Sequence, residues 1–125
     1  PMTITEVSRQ YDISPDTLRY YERIGLIPPV PRSKSGIRDY DKTSFQWIEL
    51  MKCMRAAGVQ IEALIEYVAL YRQGDETMGA RKAILVEQRA QLLARMADMQ
   101  ASLDRLNEKI QRYEQDLPSG EHSFC

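Results

Sequence analysis

The spacing of eight large apolar side chains near the C-terminus limits what this chain can fold into. Leu92, Met96, Met99, Leu103, Leu106, Ile110, Tyr113 and Leu117 recur at alternating intervals of four and three residues. Leu85 extends the register back by one heptad, with Arg89 interrupting it. Such a seam is the a/d stripe of a coiled coil. It predicts one long helix over about residues 76–116, ended by Pro118 and Gly120. No other segment is long enough to cover that stripe within the chain. The seam therefore predicts self-association, most economically a two-fold dimer with an antiparallel coiled coil. The alternative is a helix that folds back across its own N-terminal portion.

The other end of the chain predicts two short helices around a tight turn. Thr3 is followed three residues later by Glu6, the pattern of a capping box. Ile4, Val7 and Tyr11 then share one face. Asp12-Ile13 makes the turn, and Ser14 with Pro15 starts a second helix that Gly25 stops. Leu18 and Ile24 point inward, while Thr17, Arg19 and Tyr20 occupy exposed positions. Tyr21 suits either environment. A helix pair of this make-up is that of a DNA-reading helix-turn-helix, whose second helix enters the major groove.

Residues 28–40 carry Pro28, Pro29, Pro31 and Gly36 among Arg32, Lys34 and Arg38. A Ser35-Gly36 turn between short strands near 31–33 and 37–40 would form a basic wing. Asp41 then caps a third helix through about Ala57, with Phe45, Ile48, Leu50, Met51 and Met54 apolar. A fourth helix is expected over about 60–73, carrying Ile61, Leu64, Ile65, Val68 and Leu70. The expected organisation is mainly α: a winged helix-turn-helix domain with two connecting helices over 1–74, a coiled-coil dimerisation helix over 75–117, and a flexible tail over 118–125.

Net charge is −1, unusual for a DNA binder, but its distribution is informative. Residues 1–58 carry a balance of +2 and residues 59–125 a balance of −3. The basic excess sits with the helix-turn-helix and is small, so phosphate contacts must come from clustered residues. No apolar run is long enough to span a bilayer, and residues 1–10 lack the apolar core of a signal peptide. The expected location is the cytoplasm, where Cys53 and Cys125 remain thiols. No enzymatic constellation is visible: the chain has one histidine, His122, and no glycine-rich phosphate loop.

The runs T-L-R-Y-Y-E-R-I-G-L-I-P-P (17–29) and R-S-K-S-G-I-R-D-Y (32–40), followed by the long C-terminal helix, resemble the MerR family of bacterial transcription regulators. The resemblance is close over the DNA-binding half and extends to the architecture of the whole chain. It implies a homodimer on an overlong promoter spacer, which the activated protein bends and untwists to align the promoter elements for RNA polymerase. It also implies DNA contacts from Thr17, Arg19 and Tyr20, and from the wing residues Arg32, Arg38 and Tyr40. Lys34 and Tyr21 join that set from their own position and chemistry.

The resemblance extends to the effector. The family's metal sensors have a cysteine near the start of the dimerisation helix and a cysteine pair after it. Here that start reads Asp75-Glu76-Thr77-Met78, and the tail offers only His122 and Cys125. Soft-metal binding wants at least two converging thiolates, so neither a metal nor another cofactor is expected. A lone cysteine in the third helix resembles the aldehyde- and nitrosative-stress-responsive subgroup (NmlR/AdhR-like), which implies Cys53 as sensor of formaldehyde, methylglyoxal or a nitrosating species. Lys52 and Arg55 flank it, and nearby cations favour the reactive thiolate. The alternative is that Cys53 is a small buried hydrophobe. Two further alternatives are another effector such as a metal ion, and a coiled-coil interaction module that does not bind DNA.

Overall fold

The computed structural model describes residues 1–115. Leu117, Pro118, Gly120, His122 and Cys125, with the expectations placed on them, lie outside the described residues. Among the described residues the helices are α1 (Ile4–Tyr11), α2 (Pro15–Arg23), α3 (Lys42–Ala56), α4 (Ile61–Gln73) and α5 (Met78–Glu114), with a 3-10 turn at Asp75–Thr77.

Local chemistry sets the helix boundaries. The Thr3 hydroxyl accepts from the Glu6 amide, and the Glu6 carboxylate accepts from the Thr3 amide, which completes the capping box of α1. Those bonds hold the Glu6 carboxyl below its ordinary value. Asp12 ends α1 in the left-handed region at φ 54°. Ser14 caps α2 through the Thr17 amide, with Pro15 in the first turn. Asp41 and Ser44 form a second capping box at α3.

The first compact unit, Pro1–Gln88, is built around one core. Val7, Leu18, Ile48, Met51, Leu64 and Val68 supply its helical part. Leu26, Ile27, Val30 and Tyr40 enter from the irregular segment between α2 and α3. Of the apolar residues expected to line α3, Ile48 and Met51 are buried, while Phe45, Leu50 and Met54 pack partly buried around them. Trp47 is an addition: it is buried and meets Tyr67 and Tyr71 edge-on, with ring centroids 6.2 and 5.0 Å away.

Two expectations about the wing are corrected. The short strands near 31–33 and 37–40 are replaced by isolated antiparallel bridges, Arg32 with Arg38 and Met2 with Tyr40. Proline has no amide to donate, and a five-residue loop leaves room for only one rung of ladder. Tyr40, expected as a surface contact to DNA, is fully buried. Its backbone exchanges two 2.9 Å hydrogen bonds with Met2, which anchors the end of the wing to the N-terminus.

The compact unit extends beyond residue 74. The buried Thr77 hydroxyl hydrogen-bonds at 2.7 Å to the carbonyls of both Leu70 and Gly74, and accepts from Arg81 Nε at 3.0 Å. Arg81 also lies over the Tyr71 ring. The first turns of α5 are thereby stitched to the end of α4. The second unit begins at Arg89. There Leu92 is half-buried, while Met96, Met99, Leu103, Leu106, Ile110 and Tyr113 are exposed. Leu85, in the first unit, is exposed as well.

The buried Tyr40 hydroxyl has no hydrogen-bond partner among the described residues, and burial raises its pKa above the ordinary tyrosine value. Tyr40→Phe is therefore expected to raise the unfolding free energy of the DNA-free protein by about 1 kcal/mol. Urea unfolding checks this, and a loss of stability would assign the hydroxyl a partner.

Candidate nucleic-acid interface

α2 exposes a short row of polar and aromatic side chains. Ser14 Oγ donates to Thr17 Oγ1 at 2.8 Å and accepts from the Thr17 amide at 3.1 Å. Thr17, expected as a contact, is thus half-buried and partly engaged in capping its own helix. Arg19 is exposed and donates to Asp16 at 3.0 Å. Tyr20 is 41% exposed, with the Arg23 guanidinium stacked over its ring at 5.3 Å. Tyr21 packs partly buried against the core, the inward one of its two expected environments, which corrects its place among the DNA contacts.

The wing is a tight basic loop. A turn over residues 33–36 closes through a 2.9 Å bond from the Gly36 amide to the Ser33 carbonyl, with Gly36 at φ +83°. Arg32 reaches across to the Gly36 carbonyl at 3.0 Å and remains exposed. Lys34 is exposed within the turn. Ile37, which the sequence did not single out, is 61% exposed beside these cations. An apolar side chain there suits contact with sugar rather than with phosphate.

Glu22 joins wing to helix. Its carboxylate accepts from Arg38 Nε at 2.6 Å and from the Val30 amide at 2.9 Å. The Arg38 and Glu22 side chains are only 22% and 13% exposed. Burial alone would raise the Glu22 carboxyl, but the Arg38 and Val30 hydrogen bonds and the charges of Arg38 and Arg32 outweigh it and hold it below its ordinary value. Arg38, expected as a free wing contact, is therefore chiefly a tether. The separation in sequence hid this: the partners are sixteen residues apart, beyond any helical spacing. The available sign was one carboxylate in the run R-Y-Y-E-R, amid cations and aromatics.

The opposite side of the helix pair is held by α3. The Tyr11 hydroxyl donates to Glu49 at 3.1 Å, and Lys52 Nζ donates to the Tyr11 carbonyl at the end of α1. Burial, followed by the Glu49 hydrogen bond, raises the Tyr11 pKa. Arg55 donates to the Val59 carbonyl at 2.7 Å. Both cations flanking Cys53 therefore bind backbone carbonyls, a constraint invisible in the sequence. Cys53 itself is an exposed free thiol, which overturns the buried-hydrophobe alternative.

Comparison with known proteins places these features in context. The profile of the MerR HTH family regulatory protein matches residues 2–70, and that of the MerR DNA-binding region matches residues 45–109. The HTH-type transcriptional regulator AdhR of Bacillus subtilis is 56% identical over 92 residues, which cover 74% of this chain and 66% of that protein. A crystal structure of a MerR family transcriptional regulator from Listeria monocytogenes superimposes with a TM-score of 0.89 at 47% identity, covering 91% of this chain and 86% of the other. HiNmlR, a MerR family regulator lacking the sensor domain and crystallised bound to promoter DNA, superimposes with a TM-score of 0.80 at 26% identity, covering 90% of each chain.

Glu22→Gln keeps an acceptor for the Val30 amide and removes the charge facing Arg38. It is expected to lower stability near neutral pH by about 1–3 kcal/mol. The folded-state pKa of Glu22 is lowered, so its contribution is complete above the unfolded-state value and disappears as pH falls through the folded-state value. Unfolding curves of wild type and variant should therefore converge in acid. A constant difference across that range would place the effect elsewhere.

Proposed function

The chain belongs to the MerR family of DNA-binding transcription regulators, and on that premise we propose that it acts as a homodimer on a promoter, bending and untwisting an overlong spacer in response to a reactive electrophile at Cys53. The observation that carries the DNA reading is the pairing of Arg19 and Tyr20 on α2 with Arg32 and Lys34 on a wing bonded to the same helix through Glu22. One such head per protomer would span two half-sites, with phosphate contacts from the wing and base contacts from the helix. RNA polymerase would engage the promoter once the spacer is deformed. The exposed heptad residues of α5 from Leu85 to Tyr113 support pairing with a second copy, for which an antiparallel coiled coil is the economical arrangement.

The effector reading rests on the exposure of Cys53 and on its place in the same part of α3 as Glu49 and Lys52, which hold Tyr11. The thiolate would add to the carbonyl carbon of an aldehyde: a carbon–sulfur bond forms, the C=O π bond opens, and the resulting alkoxide takes a proton from water, giving a hemithioacetal. Bulk added there would press on the turn of α3 whose Glu49 and Lys52 hold Tyr11 at the end of α1. Tyr11 leads directly into the turn that orients α2. This supplies a short route from thiol to reading head that crosses no further element.

Two measurements check these assignments. Arg19→Ala should weaken operator binding by about tenfold or more in a gel shift, and unchanged binding would remove α2 from the groove. Cys53→Ala should bind the operator as wild type does but lose aldehyde-induced transcription in vitro. Retained induction would remove Cys53 from the sensor role.

A further inference from the structure

The recognition surface of α2 contains an acid whose structural part is small: it stands in the first turn, where the helix dipole favours a negative charge. Asp16 lies in the first turn of α2, and its side chain is 98% exposed. It accepts from Arg19 Nη1 at 3.0 Å, and the Arg19 side chain is 46% exposed. An exposed ion pair three residues apart on a helix contributes little to stability. A carboxylate on a surface facing phosphates also repels the backbone it approaches. The side-chain cap of α2 comes from Ser14, whose hydroxyl accepts from the Thr17 amide, and not from Asp16. The pair has a different consequence: it biases the direction of a guanidinium that otherwise samples many rotamers, and the bias strengthens where DNA displaces water from the pair.

We propose that Asp16 is a specificity-determining residue that makes one base-reading unit with Arg19. This rests on the reading that α2 enters the major groove. One Nη1 donor of Arg19 is taken by Asp16, which leaves other donors of the planar fork free. Two donors of that fork match the O6 and N7 acceptors of guanine. The carboxylate beside it is purely an acceptor, so it favours the N4 amino group of a neighbouring cytosine and rejects the carbonyl oxygens of guanine and thymine. Without Asp16, Arg19 is free to swing to the nearest phosphate, a contact that carries affinity and no sequence information. Asp16 thus exchanges nonspecific attraction for discrimination.

The test is selection of binding sites from a randomised duplex library by full-length wild type, Asp16→Ala, Asp16→Asn and Arg19→Ala, followed by competition titrations at one fixed salt concentration. Wild type should enrich a two-fold symmetric sequence containing a guanine with a nearby cytosine in each half-site. Asp16→Ala should lose about tenfold of the discrimination at those positions alone, with nonspecific affinity unchanged or tighter. Asp16→Asn keeps the shape and loses the charge, and should shift the cytosine preference toward adenine. The same enriched sequence with the same preferences in Asp16→Ala, or a uniform loss of affinity over all sequences, would overturn the proposal. The groove reading fails separately: Arg19→Ala would then retain the wild-type sequence and affinity, or wild type would enrich nothing, and the proposal would fall with it.

Discussion

The interface depends on one carboxylate. Glu22, on the last turn of α2, binds the Val30 amide and the Arg38 guanidinium with its two oxygens. A helix and a loop with few regular hydrogen bonds of their own are thereby fixed to each other. The wing's other ties are internal or at its ends: the Arg32–Arg38 bridge, the turn at its tip, the Arg32–Gly36 bond, and Val30 and Tyr40 in the core, with the Met2 bridge beside Tyr40. Without the tether its cations would sample many directions, and ordering them on DNA would oppose binding. With it, the loss of freedom occurs on folding. The lowered Glu22 carboxyl marks the same interaction from the side of protonation.

The basic residues consequently divide into two groups. Arg38, Lys52 and Arg55 are directed at a carboxylate or at backbone carbonyls and hold elements together. Arg19, Arg32 and Lys34 remain exposed on the helix and the wing. A net charge of −1 is compatible with DNA binding when exposed cations are gathered on one surface, because phosphate contacts act locally. α3 plays the complementary part. Through Glu49 and Lys52 it holds the end of α1, and its exposed Cys53 lies next to that hold.

Much of this was legible in the sequence, because its signals are local. The Thr3–Glu6 and Asp41–Ser44 boxes, the Ser14-Pro15 start and the exposure of Arg19 and Tyr20 follow from neighbours within one helical turn. What was missed is nonlocal. Leu26, Ile27, Val30 and Tyr40 enter the core from a segment with no periodicity, so no pattern marked them as buried. Tyr40 and Arg38 lie in a basic loop and resembled contacts, but one is core and the other is a tether. Trp47 carries no local sign of burial, because its partners, Tyr67 and Tyr71, lie on the next helix. The availability of Lys52 and Arg55 to Cys53 failed as an inference from adjacency, since chain neighbours on a helix need not share a hydrogen-bonding direction.

On the proposed reading, α2 and the wing form one DNA-reading surface in each protomer. The most direct measurement is the dependence of operator affinity on salt for wild type and for Arg32→Ala combined with Lys34→Ala. The logarithm of the affinity should fall steeply and linearly with the logarithm of salt concentration. Because two cations per protomer are removed from a dimer, the slope for the variant should be shallower by about 3–4. An identical slope for both proteins would contradict the account, since the wing would then lie off the DNA.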